Sequence, residues 1–119
     1  MELLTRARDV IEVSGERASV LVCELEDQNV LREAFGALAP HQEFFYVAIL
    51  KAQPPNHENA TPIEVWVNGV RIGYVDESLS PRYWRQLRED PAPVSCGCLV
   101  RTNGSPNVIW VRLSLPVTL

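Results

Sequence analysis

The chain has 119 residues, 46% apolar and 22% charged, with nine prolines, six glycines and three cysteines. That size makes one domain, residues 1–119, able to bury a core without disulfides or metal. No apolar run approaches the ~20 residues of a membrane-spanning helix, and a net charge of −4 argues against attachment to nucleic acid by bulk charge alone.

The opening MELLTRARDVIEV is interrupted by charge and lacks the apolar centre of a signal peptide. A cytoplasmic protein is therefore expected. The cysteines fit that setting: they are odd in number, and Cys96 and Cys98 are too close for an ordinary bridge. The charge is uneven. Residues 1–44 carry nine acids and four bases, whereas residues 65–119 carry four acids and six bases, all arginine. Arginine suits bidentate recognition of phosphate or carboxylate better than lysine.

Residues 2–10 read as a short helix with Leu3, Leu4 and Ala7 on one side, and Ser14-Gly15 as a turn. The β-branched run from Ala18 to Cys23 predicts a buried strand. Val30, Leu31, Ala34, Phe35 and Leu38 recur at the spacing of one helical face. Asp27 is the expected N-cap, and Pro40 follows the end.

Phe44 to Leu50 predicts a central strand, and the proline- and asparagine-rich stretch 52–62 a loop. Ile63, Val65 and Val67 alternate with Glu64 and Trp66, the pattern of a half-buried strand. Asn68-Gly69 is a two-residue hairpin turn, and Val70 to Val75 is its partner strand. Ser80-Pro81 predicts a second helix, to about Arg88, that buries Trp84 and Leu87. Pro91 and Pro93 end it, and a last hairpin pairs VSCGCLVR with VIWVRL across residues 103–106. Six strands and two helices in this order predict a mainly β fold, a small curled barrel.

The segment PPN-x(6)-IEVWVNGVRIGYV resembles the central motif of the HIRAN domain family. Tyr46 to Leu50 match its leading strand, Pro54 its proline, Asn56 its first asparagine and Ile63 its valine. Gly69 matches the hairpin glycine, and Ile72-Gly73-Tyr74 the closing motif; no gap is needed from Tyr46 to Tyr74. Weaker similarity spreads over residues 18–117, leaving 1–17 as an N-terminal extension. The resemblance implies an OB-like barrel that binds single-stranded DNA and captures a 3′ end, with an aromatic residue stacking on bases and an acidic loop residue reading the terminal hydroxyl. The chain departs from the family at those positions: Asp27 replaces the opening aromatic, Glu58 the loop tyrosine, Asn59 the loop acid, Thr61 the second asparagine and Glu77 a phosphate-facing lysine.

Other chemistry is sparse. Cys96 and Cys98 share one face of a strand, but C-x-C with distant Cys23, His41 and His57 is a poor zinc pattern, so buried thiols and no metal are expected. His41 is expected to be exposed. No catalytic triad order, phosphate loop or paired acids on one face is visible. A non-catalytic module without cofactor is the expectation, contacting single-stranded DNA or DNA ends through Lys51, Asn56, His57, Asn59, Arg71, Tyr74, Arg82 and Arg85. The alternative is a protein-interaction module on the same fold, since tryptophan, tyrosine and arginine also build protein interfaces.

Overall fold

The computed structural model describes residues 17–39, 41–89, 94–102 and 108–116. Their elements are β1 (Arg17–Cys23), α1 (Gln28–Phe35), β2 (Glu43–Ala52), β3 (Ile63–Val67), β4 (Val70–Val75), α2 (Ser80–Glu89), β5 (Val94–Thr102) and β6 (Val108–Pro116). The strands close into a barrel in the order β1-β4-β3-β2-β5-β6, antiparallel at every seam. This is the mainly β barrel with two short helices that the sequence predicts. The helix at 2–10, the turn at Ser14-Gly15, prolines 40, 91 and 93 and the turn at 103–106 lie outside the described residues.

Alternation along each strand fills the barrel. Val20 and Val22, Ala48 and Leu50, Ile63, Val65 and Val67, Cys96, Cys98 and Val100, and Val111, Leu113 and Leu115 all point inward and are buried. Burying a Val, Leu or Ile side chain contributes about 1.5–3 kcal/mol, so this interior is the main source of stability. The first strand is half-buried rather than buried on both faces: Ser19 is exposed, and Leu21 and Cys23 are partly so. At Asn68 and Gly69 the backbone has φ of +52° and +78°, the left-handed geometry a two-residue hairpin turn needs.

The two helices sit at opposite ends of β2. Asp27 caps α1 by accepting from the Val30 N–H at 3.1 Å. Gly36 stops the helix three residues short of the apolar face's last member: its φ is +75°, and its N–H donates to Arg32 O at 2.8 Å. Leu38 therefore lies beyond the helix, yet still packs on the core. Asn68 Nδ2 donates to Ala34 O at 2.7 Å, and Tyr46 Oη to Phe35 O at 3.0 Å. These bonds fix α1 over the end where β2 begins.

Helix α2 lies where β2 ends. It buries Tyr83 and Ser80, not Trp84 and Leu87, which are only half-buried. Ser80 uses its hydroxyl on Thr61 Oγ1 at 2.7 Å instead of on the helix terminus. The phenol oxygen of Tyr83 meets no hydrogen-bond partner among the described residues.

Candidate nucleic-acid interface

The outward side chains of β2, β3 and β4 build one polar and aromatic surface. Ile49 faces Trp66 and Lys51 faces Glu64 across the β2–β3 seam. Glu64 faces Tyr74 and Trp66 faces Arg71 across β3–β4. That seam contains a β-bulge. Val65 pairs with Gly73 and Trp66 with Arg71, so Ile72 is the extra residue. Ile72 and Gly73 are both buried, and alternation restarts beyond them. The bulge thereby puts Arg71 and Tyr74 on the same outer face.

Glu64 is the hub of this surface. Its Oε1 accepts from Gln53 Nε2 at 3.2 Å and from Trp66 Nε1 at 3.0 Å. Its Oε2 takes Arg71 Nη1 at 3.3 Å. Arg71 also binds Glu26 Oε2 at 3.1 Å and donates to Tyr74 Oη at 3.4 Å. Burial works against the Arg71 charge, but Tyr74, Glu64 and Glu26 outweigh it and hold the guanidinium more firmly protonated than usual. Lys51 Nζ lies 3.9 Å from the centre of the Trp66 ring, a cation–π contact worth about 0.5–1 kcal/mol at an exposed site. Two acids, Glu26 and Glu64, thus stand against Lys51 and Arg71.

The loop 53–62 adjoins this surface. Asn56 Oδ1 accepts the amides of Glu58 and Asn59 at 2.9 and 2.8 Å, and Asn59 Oδ1 accepts the Thr61 amide at 2.9 Å. Both asparagine oxygens therefore hold loop backbone, the role such residues commonly play in turns. His57 and Glu58 are exposed. Gln53 joins three parts. Its side chain reaches Glu64, its amide donates to Pro62 O at 2.9 Å, and its carbonyl accepts Trp84 Nε1 from α2 at 2.9 Å.

The residues expected at the site fall on three connected parts of the structure. Lys51, Arg71 and Tyr74 share the outer face. Asn56, His57 and Asn59 share the adjoining loop, and Arg82 and Arg85 are exposed on the helix bonded to that loop. Neither helix arginine forms a salt bridge among the described residues. Sequence reasoning did not single out Gln53, Glu26 or the hub role of Glu64. Strand alternation placed Glu64 beside Trp66, but nothing in the residue pattern announced the bulge or the reach of Glu26 to Arg71.

Of the positions that depart from the HIRAN pattern, Asp27 is engaged as a helix cap, and Glu58 and Glu77 are exposed. Among the described residues no group of three or more His, Cys, Asp or Glu side chains is placed to hold a metal ion, and no helix is long and apolar enough to cross a membrane. His41 is exposed, and Cys96 and Cys98 are buried and not joined in a disulfide. No family model, no curated protein and no solved structure matches the chain.

Proposed function

We propose that the chain is a non-catalytic, HIRAN-like binding module of OB-like type that holds single-stranded DNA, at or near a 3′ end. The observation that carries this reading is a juxtaposition. Arg82 and Arg85, exposed and without a salt bridge among the described residues, lie on a helix bonded to the asparagine loop, and through Gln53 that helix connects to the Lys51–Trp66 stack. Phosphates would meet the arginines, and bases the aromatic face. The similarity from Tyr46 to Tyr74 supports the same assignment. The cysteines, not joined in disulfides, support a reducing, cytoplasmic setting.

A specific observation favours a second reading, a protein-interaction module. Arg71 is already held between Glu26 and Glu64, so one of the cations a nucleic acid would want is neutralised in place.

Fluorescence anisotropy with single strands ending in 3′-hydroxyl or 3′-phosphate, at low and moderate salt, separates the two. Preference for the hydroxyl end supports end capture in the loop. Equal binding that weakens steeply with salt supports a general arginine contact. No binding of either strand at low salt removes the DNA reading in favour of a protein partner.

A further inference from the structure

Trp66 and Trp110 lie on β3 and β6, strands that stand opposite each other in the ring of six. The outer wall between them, on β2 and β5, carries Phe45 and Leu99 directly opposite one another. Phe45 is 56% exposed, the one large hydrophobic side chain so exposed among the described residues. Leu99 in turn faces Arg112, and Arg101 faces Trp110, across the β5–β6 seam. The guanidinium carbons of Arg101 and Arg112 lie 5.2 and 5.5 Å from the Trp110 ring centre. Glu43 pairs with Arg101 at 2.9 Å, and Arg112 Nη1 donates to Ser19 Oγ at 3.4 Å.

Among the described residues one acid stands against two arginines here, whereas around Arg71 two acids offset two cations. The Trp110 patch is therefore the more cationic of the two aromatic faces. Its composition, an indole under two guanidiniums beside an exposed phenyl ring, interleaves stacking surface with phosphate donors.

We propose that this outer band, from Trp66 across Phe45 to Trp110, is a track that carries a single strand around the barrel beyond the first site. The inference rests on the DNA reading above. Bases stack on Phe45, and Arg101 and Arg112, braced on Trp110, take phosphates. Neighbouring strands are about 4.8 Å apart, and small barrels of this kind occupy roughly 4–16 nucleotides. Three strand spacings and six residues along β2, from Ile49 opposite Trp66 to Glu43 opposite Arg101, separate the two rings, about 25 Å in all. Stacked at about 3.4 Å per nucleotide, about six nucleotides fall short of that span and about eighteen exceed it.

The test uses the full chain and labelled oligothymidine of about six and about eighteen nucleotides, by anisotropy across a salt series. The longer strand is expected to bind the wild type at least several-fold more tightly. In Arg101→Gln/Arg112→Gln that advantage disappears while the short strand binds as before, and the salt slope for the long strand falls by about 1.4 for two lost phosphate contacts. Phe45→Ser, at an exposed position, should reduce the long-strand affinity alone and serves as the second variant if the arginine pair disturbs folding. Equal affinity of both lengths for the wild type, or a long-strand advantage that survives both variants, overturns the track while leaving the first site standing, and assigns the patch to a protein partner. Failure of the wild type to bind either length overturns the DNA reading and the track together.

Discussion

Arg71 Nη1 and Tyr74 Oη meet at 3.4 Å on the outer wall, although residues three apart in a regular strand point to opposite faces. The bulge at Ile72-Gly73 is what brings them together. It depends on glycine, because a Cβ at Gly73 would fall 2.7 Å from Cys23 O and 2.9 Å from Val22 Cγ1. The first of these is a backbone atom of the neighbouring strand and cannot swing aside.

Gly73→Ala is therefore expected to destabilise the fold by about 1–3 kcal/mol, the usual range for overpacking. Urea unfolding should show a lower midpoint at an unchanged slope. An unchanged midpoint would mean that β1 yields to the added methyl at no cost.

Glu64→Gln keeps the shape of the hub and removes its charge. Arg71 then retains only Glu26 as an acidic partner. The Glu64 side chain is only 14% exposed and its bonds are charge-assisted, so stability should fall by roughly 1–3 kcal/mol. Affinity for single-stranded DNA should rise by several-fold, as one of two acids leaves the face. Unchanged affinity in the anisotropy assay would show that this face does not touch the strand.

Asn56 is a scaffold for its loop. Asn56→Ala removes the acceptor of the Glu58 and Asn59 amides, at a cost of about 0.5–1.5 kcal/mol per bond. Hydrogen exchange at those two amides should accelerate. Asn56→Asp retains the oxygen acceptor and should restore protection. Exchange that stays slow in the alanine variant would show that the loop is ordered by something else.

The buried phenol of Tyr83 is the reverse case. Tyr83→Phe removes a hydroxyl that makes no hydrogen bond among the described residues, and so relieves a desolvation cost of roughly 1–3 kcal/mol. Thermal or urea unfolding should find the variant at least as stable as the wild type. A clear loss of stability would mean that the hydroxyl has a partner.

The thiols make the fold sensitive to alkali. Burial first, and then Cys96, pushes the Cys98 thiol far above its ordinary value of 9.0. Burial, followed by Asp76, Glu24 and Glu77, raises Cys23 as well. As pH climbs past 9.0, the unfolded chain releases protons that the folded chain keeps. The thiol contribution is thus fully present below that pH and declines above it. Denaturant midpoints should fall from about pH 9 upward, and should fall less in Cys98→Ala measured against its own neutral value. Alkylation of native protein at neutral pH should be slow at Cys23 and slower still at Cys98.

The strands were legible because their apolar residues recur at period two, and the Asn68-Gly69 turn because its residues tolerate positive φ. The Asp27 cap was legible because a short carboxylate before an apolar helical face can accept a first-turn N–H. What the pattern obscured was tertiary. Trp84 and Leu87 fit a helical face as well as Tyr83 does; which of them is buried depends on how α2 lies against the loop through Ser80 and Trp84. Lys51, Arg71 and Tyr74 were candidates in the sequence, Tyr74 through the closing motif of the resemblance. Their mutual geometry was not, because a one-residue bulge changes every facing beyond it, and because the partner of Arg71 is Glu26, far away in sequence.

The narrowest seam of the barrel joins β1 to β4 only at Val22 with Val75 and Cys23 with Tyr74, while the longer seam of β1 is with β6, from Arg17 facing Pro116 to Leu21 facing Arg112. During synthesis β1 emerges before β6 and must therefore wait for it before its main pairing can form. Until then Val20 and Val22 have no closed interior to enter. Such long-range closure slows folding, and it leaves the nascent chain dependent on remaining soluble until β6 arrives.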